Sequence, residues 1–404
     1  MTTLHDPISE EAAAHIVHTA AAVGVSLSIE GGGTRRIGPK PEDADTLSTR
    51  NLTGIVAYNP AEMTMTAKAG TPLEEIEAEL ADKRQVLAFE PPDMRAVLGR
   101  PGRSTIGGVF ADNASGPRRF VAGAARDSLL GVRFVNGRGE IVKAGGRVMK
   151  NVTGLDLAKL LAGSRGSLAL LTEVTFRVLP VPETATTIVV SGLDDVHAIA
   201  AMATALSTSV EVSGAAHLPE SVRGRLIAGA LPDGAATVLR LEGLSASVAV
   251  RSEKLKAAMA SFGPVTTLDA ETTATLWRQV RDVAPYADGT ERPLWKVSVA
   301  PTAGHQLVAA LRLEVGIDAY YDWQGGLVWM RMEGEPEAAL LRRYIKALGG
   351  GHATLVRARP EVMAATEMFD PQADAVAALS ARVKASFDPA GLYVSSLIDR
   401  KQGA

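Results

Sequence analysis

A glycine-rich stretch at residues 103–119 constrains this chain more than any other part of its sequence. It reads RSTIGGVFADNASGPRR and places Gly107, Gly108 and Gly116 among small residues, with arginines at its edges. Because glycine has no Cβ, such a backbone can bring several N–H groups against an anion. A second segment of the same chemistry, GGGTRR, lies upstream at residues 31–36. The two segments predict one ligand with a central diphosphate, which indicates a dinucleotide cofactor.

Neither segment matches the common nucleotide-binding motifs. No Gly-Lys-Ser/Thr ending marks a Walker A loop. The run at 31–34 lacks the spacing of the Rossmann fingerprint, and no glycine follows three residues after Gly107-Gly108. For residues 31–33 alone, a surface turn and a cofactor contact are equally good interpretations. The longer segment favours the cofactor.

Length and charge exclude several classes of function. The 404 residues favour two or three domains, and 46% hydrophobic residues supply material for a core. The net charge of −3 shows no basic excess, so we expect no nucleic-acid partner. Without a signal peptide or a run long enough to cross a bilayer, we expect a cytoplasmic protein. Contact with the inner membrane would be peripheral and through partners.

The absence of cysteine limits the chemistry further. It excludes disulfides, a thiol nucleophile, a cysteine-ligated iron–sulfur cluster and a cysteinyl cofactor bond on this chain. The seven histidines form no metal-binding motif, so we predict no metal site. We also expect the dinucleotide cofactor to be held non-covalently, since neither glycine-rich segment contains histidine.

The part of the chain up to residue 182 alternates strands and turns around one clear helix. A strand at 64–70 ends in a glycine turn, and the next residues carry the signals of a helix start. We predict Thr71 as N-cap, Pro72 at the first helical position and Glu74 completing a capping box. Further strands are expected at 129–135, 140–143 and 168–178.

After residue 182 the order β-α-β-β-α-β occurs twice. Each unit resembles the ferredoxin-like split βαβ motif, which predicts an antiparallel sheet with helices on one face. The first unit is expected at 186–191, 194–206, 210–216, 237–242, 245–262 and 265–268. The second is expected at 294–300, 304–313, 317–323, 327–332, 336–348 and 352–357. A final helix is predicted near residues 371–387.

Several short motifs follow one another along the first 166 residues. They are AGTPL at 69–73, LAFEPP at 87–92, TIGG at 105–108, SGPRR at 115–119, Gly123 with Arg126-Asp127, VMKNVTGLD at 148–156 and LAGSRG at 161–166. In this series the chain resembles the FAD-binding family that includes vanillyl-alcohol oxidase, p-cresol methylhydroxylase and D-lactate dehydrogenases. Within that family it is most similar to the E subunits of glycolate oxidases.

The resemblance implies an α+β fold with three parts. A two-subdomain FAD-binding domain of the p-cresol methylhydroxylase type would occupy residues 1–182. An antiparallel-sheet cap domain with two ferredoxin-like βαββαβ units would occupy 183–358. A C-terminal helix and tail at 359–404 would return toward the FAD domain.

The resemblance also implies which residues bind FAD. The 31–34 loop and the 106–116 segment would give backbone N–H groups to the diphosphate, with two glycines beside the flavin ring. Residues 163–166 would hold the adenosine end, and 151–156 would shape the wall between them, although a turn that caps a helix explains Asp156 equally well. The implied set is Gly31, Gly32, Gly33, Thr34, Ile106, Gly107, Gly108, Asn113, Ser115, Gly116, Asn151, Gly154, Asp156, Gly163 and Gly166.

Three features depart from the family pattern. Glu30 stands beside the first cradle, where a carboxylate is unfavourable unless it points away or pairs with Arg35 or Arg36. The tail after Gly391 lacks the family's closing Asn-Pro-Gly-Arg. The histidine and acidic cluster used by relatives that oxidise 2-hydroxy acids is absent, so no catalytic residue is assigned. Tyr320, Tyr321 and Trp323 fit a flavin cavity or a core.

The resemblance therefore implies an FAD-dependent oxidoreductase, the flavin subunit of a glycolate oxidase (glycolate dehydrogenase) complex in glycolate catabolism. Its partners would be a related flavoprotein subunit and an iron–sulfur subunit, which pass electrons from a 2-hydroxy acid, glycolate, to an acceptor. Two alternatives remain open. One is a self-sufficient FAD-dependent oxidoreductase acting on another hydroxy acid or alcohol, and the other is a structural subunit with a vestigial flavin site.

Overall fold

Two small sheets build the N-terminal part of the fold in the computed structural model, which describes residues 2–146 and 154–395. One is a parallel three-stranded sheet of order β1-β3-β2, and the other is an antiparallel five-stranded sheet of order β4-β5-β9-β7-β8. Strands β10 and β6 form a separate pair. The strands are β1 Leu4–His5, β2 Ser26–Glu30, β3 Ala44–Ser48, β4 Ile55–Asn59, β5 Thr64–Lys68, β6 Gln85–Val86, β7 Leu129–Val135, β8 Ile141–Gly145, β9 Leu170–Arg177 and β10 Leu179–Pro180.

The helices of this part are short, apart from two. They are α1 Glu10–Val23, α2 Leu73–Asp82, α3 Arg95–Leu98, α4 Ile106–Ala111, α5 Arg119–Ala122, α6 Ala125–Ser128 and α7 Leu157–Leu161. The first begins at Ser9, whose side chain accepts the Ala12 N–H, and ends at Gly24 in the left-handed region (φ 72°). Helix α2 buries Leu73, Ile76 and Leu80 against the five-stranded sheet.

The predicted capping box of α2 is wrong. The helix begins after Pro72, with no side-chain hydrogen bond at its cap. The Thr71 hydroxyl instead accepts the Gly54 N–H at 3.0 Å and donates to the Lys68 carbonyl at 2.7 Å. Glu74 pairs with Arg103. Tertiary partners therefore take both side chains that the local sequence assigns to the cap.

A single eight-stranded antiparallel sheet follows, of order β14-β11-β13-β12-β16-β17-β15-β18. Its strands are β11 Thr184–Ser191, β12 Gly214–Leu218, β13 Ala236–Gly243, β14 Val265–Leu268, β15 Leu294–Val299, β16 Ile317–Asp322, β17 Leu327–Met332 and β18 Gly351–Arg357. Each half has the ferredoxin-like order 4-1-3-2, and the second half reads in the opposite direction along the sheet. The pairing of β12 with β16, at His217 and Tyr321, joins the two halves into one sheet. The predicted fold class is confirmed.

Helices cover the cap sheet and connect its halves. They are α8 Asp195–Ser207, α9 Glu220–Arg223, α10 Ser245–Met259, α11 Ala270–Arg281, α12 Gly304–Arg312, α13 Ala338–Ala347, α14 Pro360–Ala365 and α15 Asp374–Phe387, with 3₁₀ turns at Ile227–Gly229, Ala284–Tyr286 and Trp323–Gly325. The expected second strand of the first cap unit, at 210–216, lies a few residues later, as β12 Gly214–Leu218. Within residues 2–146 and 154–395, no helix combines the length and apolar character that a bilayer span needs.

The tail after α15 lies against the N-terminal part. The backbone N–H of Leu27 donates to the Leu392 carbonyl at 2.8 Å, and the Val394 N–H donates back to Leu27 at 3.0 Å. The buried Tyr393 hydroxyl donates to the Val135 carbonyl at 2.9 Å. These contacts extend the parallel sheet beside β2. We propose the predicted domain boundaries, 182/183 and 358/359, as the borders of the three parts.

Candidate functional site

The larger of two adjoining cavities lies where the two N-terminal sheets meet. Its volume is about 1030 Å³, and it opens between the loop after β2, the start of α4 and the tail. Seven of the predicted FAD-binding residues line it: Gly31, Gly32, Gly33, Thr34, Gly107, Gly108 and Gly166.

The 31–34 loop presents free backbone donors to this cavity. Among the described residues, the N–H groups of Gly31, Gly32, Gly33 and Thr34 have no hydrogen-bond acceptor. A Cβ on Gly32 would lie 1.6 Å from the Arg103 carbonyl oxygen, so only glycine permits this close approach. Successive unpaired amides form a concavity that attracts an anion. The loop therefore fits a diphosphate.

The second glycine segment contributes differently from the expectation. The N–H groups of Ile106, Gly107 and Gly108 already donate, to the Thr71 carbonyl, the Ala69 carbonyl and the Thr105 hydroxyl. These amides are not free for a diphosphate. Added Cβ atoms distinguish the two glycines, because one on Gly107 would overlap the Ala69 backbone at 2.7 Å, whereas one on Gly108 meets only Thr105 Oγ1 at 3.2 Å. We propose that this segment supplies a close backbone wall instead of N–H donors.

Glu30 does not oppose an anion in the cradle. Its carboxylate forms ion pairs with Arg36 and, at 3.1 Å, with Arg50. The pairing predicted with a neighbouring arginine is therefore present. The two guanidinium groups leave the mouth of the cavity with positive charge in excess.

Other residues of the implied FAD set lie outside the larger cavity. Ser115 and Gly116 line the second cavity. The Asn113 side chain accepts the Arg126 N–H at 2.8 Å, and Asp156 caps α7 by accepting the Lys159 N–H at 3.1 Å. Neither cavity is lined by Ile106, Asn113, Gly154, Asp156 or Gly163 in the part of the chain that the structure describes. Asn151 lies outside the described residues.

The second cavity adjoins the first and extends to the face of the cap sheet. Its volume is about 590 Å³. The two cavities share four lining residues, Arg35, Ile37, Asp112 and Arg165. On the cap side it is lined by Arg281, Lys296, Asp322, Leu327, Trp329, Thr354 and Val356. A ligand in the second cavity would therefore lie beside a cofactor in the first.

Arg35 is a buried cation with free donors at this junction. Its side chain is 9% exposed, and its Nη2 donates to the Pro92 carbonyl at 2.6 Å. Within the described residues, its Nε and Nη1 have no hydrogen-bond partner, and the nearest carboxylate, on Asp112, is 3.9 Å from Nη1. Buried polar groups normally have partners, so unpaired donors here indicate that an anion binds.

Strand register brings a lysine and an aspartate onto the same face of the cap sheet. Lys296 lies opposite Trp329, and Asp322 lies opposite Leu327, two residues earlier on the same strand. Opposite residues share a face, and residues two apart along a strand do so too. Two strand spacings and two residues put the Cα atoms of Lys296 and Asp322 about 12 Å apart. Both residues line the second cavity.

Both groups titrate near neutrality. Burial raises the pKa of Asp322 to about 7, against hydrogen bonding from the Trp323 N–H, and the charge of Glu90 adds to the rise. Burial lowers the pKa of Lys296 to about 8, with Asp112 opposing the change. Perturbed acids and bases that share a cavity are typical of catalytic sites.

Sequence reasoning missed this pair, although a signal was present. Lys296 interrupts the apolar strand LWKVSV, and Asp322 ends the strand IDAYYD, so each places charge where a core is expected. The aromatic residues named instead are structural. Tyr320 is buried and donates to the Val280 carbonyl, and Tyr321 is buried and donates to Asp195. Trp323 donates to the Gly116 carbonyl at 2.9 Å.

A metal centre has no support in residues 2–146 and 154–395, where no group of three or more histidine, aspartate or glutamate side chains is placed to hold an ion. The cationic junction favours an organic anion.

Comparisons with known proteins agree with this geometry. Residues 4–145 match the family model described as an FAD binding domain. The chain is 30% identical over 377 residues to glycolate oxidase subunit GlcE of Escherichia coli (strain K12). This alignment covers 91% of each chain. It is 38% identical over 100 residues to glycolate oxidase subunit GlcD of Bacillus subtilis (strain 168), or 25% of this chain and 20% of that protein.

Solved structures show the same fold. The crystal structure of p-cresol methylhydroxylase with substrate bound matches with a TM-score of 0.72 at 13% identity, covering 98% of this chain and 88% of that chain. An alkyldihydroxyacetonephosphate synthase matches with a TM-score of 0.67 at 18% identity, covering 96% and 76%. At such identities the likeness concerns the fold alone.

Proposed function

The chain belongs to the family of the glycolate oxidase subunit GlcE, and we propose that it is the FAD-containing subunit of a complex that oxidises glycolate to glyoxylate. The observation that carries this proposal is the row of unpaired amides at 31–34 inside the larger cavity. An intact anion cradle is what a chain that still binds FAD requires. In a subunit with a vestigial flavin site, we expect this anion cradle to be lost.

The residues around the larger cavity have separate tasks. Gly31, Gly32, Gly33 and Thr34 would bind the diphosphate, Gly107 and Gly108 would form the wall against the flavin, and Gly166 would hold the adenosine end. When bound, FAD supplies the two-electron oxidant that a 2-hydroxy acid requires. The protein's own task is to position the substrate, to hold its charge and to accept its proton.

The partners follow from what this chain lacks. With no cysteine, it carries no cysteine-ligated iron–sulfur cluster, so electrons leave through another polypeptide or a soluble acceptor. We infer a related flavoprotein subunit, as the likeness to a GlcD protein supports, and an iron–sulfur subunit. Any contact with the inner membrane would be made through these partners.

One observation favours a second candidate, a self-sufficient FAD-dependent oxidoreductase. The second cavity holds a base and a cation, Asp322 and Lys296, which is the set that such an enzyme needs. The two candidates differ in turnover. A self-sufficient enzyme reduces a dye with glycolate by itself, whereas a complex subunit does so only together with its partners.

The deciding experiment compares the purified chain with the co-expressed complex. The absorbance spectrum of the chain, recorded with and without glycolate, shows whether flavin is bound and whether it is reduced once. Dye reduction is then measured for the chain alone and for the complex. We expect bound flavin and activity only in the complex. A colourless chain would point to the structural subunit, and full turnover by the chain alone would favour the self-sufficient enzyme.

The flavin should be non-covalent. The sequence has no cysteine, and no histidine lies in either glycine segment. Acid precipitation should therefore release the flavin into the supernatant. Flavin that stays with the washed pellet would contradict this prediction and would identify a covalent link elsewhere in the chain.

A further inference from the structure

Asp322 occupies an unusual position at the edge of the second cavity. It ends β16, is 2% exposed, and its Oδ1 accepts the Trp323 N–H at 2.7 Å. Oδ2 has no donor among the described residues. The two following residues, Trp323 and Gln324, have φ of 50° and 56°, a conformation that costs free energy for non-glycine residues. Strained backbone beside a buried carboxyl is typical of a functional site.

Lys296 faces the same cavity without an anion to neutralise it. Its ammonium lies 5.6 Å from the Trp323 ring centre and 5.9 Å from that of Trp329. No carboxylate pairs with it in the part of the chain that the structure describes. A cation held between two aromatic faces keeps its donors available for a ligand.

The other charged residues of the cavity have partners. Arg281 forms a two-bond pair with Asp282, at 2.7 and 2.9 Å. Arg165 pairs with Asp112 at 2.8 Å. The side chains that remain for a ligand are therefore the ammonium of Lys296, the carboxyl of Asp322 and, at the junction with the larger cavity, the guanidinium of Arg35.

We propose, on the basis of the proposed function, that Asp322 Oδ2 accepts the hydroxyl proton of the 2-hydroxy acid while Lys296 binds its carboxylate. This assigns a proton acceptor to a chain that lacks the histidine cluster of its relatives. Arg35 lies on the side of the larger cavity and adds positive charge to the same pocket.

The atoms balance as follows. Oxidation of the alcohol carbon breaks its C–H and O–H bonds and forms the C=O bond of a 2-oxo acid. The proton goes to Asp322 Oδ2, and the hydride goes to the oxidised flavin that the proposed function names as oxidant. A protonated Asp322 then returns its proton to water when the product leaves. A base of pKa near the working pH suits this exchange.

The proposal predicts proton uptake on ligand binding. An anion that enters the cavity raises the pKa of the neighbouring Asp322, so part of the protein takes up a proton near pH 7, and the molecules whose Asp322 stays ionised accept the hydroxyl proton. Burial raises the pKa of Asp322 in the free protein to about 7, and charged groups from several elements modify it. Glu90 in the N-terminal part raises it further, whereas Arg240 on β13 and Lys296 on β15 lower it. Arg281 at the end of α11 lines the same cavity.

The test uses the full chain with its flavin and oxamate, a carboxylate that cannot be oxidised. Calorimetric titrations in two buffers of different ionisation enthalpy count the protons taken up. We expect uptake in the wild type, none in Asp322→Asn with affinity changed less than about threefold, and binding at least tenfold weaker in Lys296→Met. Lys296→Arg should recover part of the binding.

Anaerobic mixing with glycolate supplies the second readout, because one reduction of the flavin needs no partner subunit. Asp322→Asn should slow bleaching of the flavin by about 10²- to 10⁴-fold. Equal bleaching rates in this variant and the wild type, or no proton uptake by the wild type, would overturn the inference. If glycolate leaves the wild-type flavin oxidised while proton uptake is present and depends on Asp322, the proposed substrate is wrong and the anion site stands.

Discussion

At the scale of single residues, the two glycine segments differ in what their backbones offer. The 31–34 loop has unpaired N–H groups, whereas the amides of Gly107 and Gly108 are already hydrogen-bonded. Both segments are glycine-rich because their backbones approach other atoms closely, but only the 31–34 loop has unpaired N–H groups that can donate to a ligand. The position of Gly108 makes this division testable, since an added Cβ there meets Thr105 Oγ1 at 3.2 Å and no other atom outside its own helix within 4 Å.

Gly108→Val should remove the flavin and keep the fold. The valine methyl groups enter the larger cavity, where the Thr105 hydroxyl is the only atom within 4 Å of the new Cβ. We expect flavin absorbance per protein to fall at least about tenfold, with the unfolding free energy changed by less than about 1 kcal/mol. Gly224→Val is the matched control, because that glycine is exposed, has negative φ and has no atom within 4 Å. Normal flavin content in Gly108→Val would refute the assignment.

Asp322→Asn should stabilise the fold at alkaline pH. Because the folded pKa of about 7 lies above the ordinary value of 3.8, the native state binds more protons between these values, and stability falls as pH rises through this window. Asparagine does not titrate, so the variant does not lose stability through this window. Its side-chain oxygen can still accept the Trp323 N–H. We expect denaturant unfolding to give the variant an unfolding free energy up to about 4 kcal/mol higher than that of the wild type at pH 8. Below pH 4 the two proteins should differ little in stability. A gain that does not change with pH would contradict the prediction.

Single residues could be predicted from the sequence where a close backbone approach requires glycine. Glycines at 31–33 and 107–108 stand out in any reading, and the FAD-binding family was identified from them and their neighbours. Lys296 and Asp322 were missed because their importance depends on the register of three strands, which brings together residues 26 positions apart in the chain. Charge inside a predicted strand was the available signal.

At the scale of elements, the cap sheet was largely predictable, whereas the capping box of α2 was not. Periodicity and turn residues located both βαββαβ units, and strands 265–268 and 327–332 have the predicted bounds. Thr71 failed as a cap because the Gly54 N–H and the Lys68 carbonyl lie within reach of its hydroxyl. Local sequence cannot reveal that competition, since Gly54 is 17 residues away.

The joint between the two cap units depends on a partly buried aspartate at the start of α8. Asp195 accepts hydrogen bonds from Tyr321 of β16 at 2.7 Å and from Arg312 of α12 at 2.8 Å, and its Oδ1 lies 3.3 Å from Nε2 of His217 on β12. Burial raises its pKa, but the nearby His217 ring, the hydrogen bond from Tyr321 and the charge of Arg312 lower it to about 2. One carboxylate therefore ties two strands and a second helix together.

Asp195→Asn should make the fold less stable at neutral pH and less sensitive to acid. A depressed pKa contributes stability above the ordinary value of 3.8, and this contribution is lost as pH falls through about 2. We expect a loss of about 2 kcal/mol at pH 7 that disappears near pH 2. The exposed Asp233→Asn, which removes a surface pair with Arg223, should change stability by less than about 1 kcal/mol. Equal losses at pH 7 and pH 2 would refute the mechanism.

At the scale of the whole molecule, the second cavity lies where the N-terminal part meets the cap sheet. The contact includes a largely buried charge cluster: Glu90 and Arg118 from the N-terminal part, Arg240 and Glu242 from β13. Arg240 donates two bonds to Glu90, at 2.9 and 3.0 Å, and Arg118 Nε donates to Glu242 at 3.0 Å. The cluster fixes the distance between the cap sheet and the glycine segments.

Breaking this cluster should uncouple the two parts. Arg240→Met leaves the partly buried Glu90 without its bidentate partner and with Arg118, 3.5 Å away, as a remaining cation. The loss of one member of a buried pair costs up to about 3–5 kcal/mol. Because the guanidinium also lies 4.7 Å from the Trp277 ring centre, the fluorescence of that tryptophan reports the change. We expect denaturant unfolding to split into two transitions and flavin affinity to fall.

Two further variants decide whether charge at the contact is the cause. Glu90→Gln combined with Arg240→Met removes the unpaired carboxylate and should recover more stability than additive losses allow, since the two residues form one unit. Arg278→Met removes an exposed arginine from the neighbouring α11 and should leave unfolding unchanged. Additive losses in the double variant, or a single transition in Arg240→Met, would show that apolar packing and not the charge cluster couples the two parts.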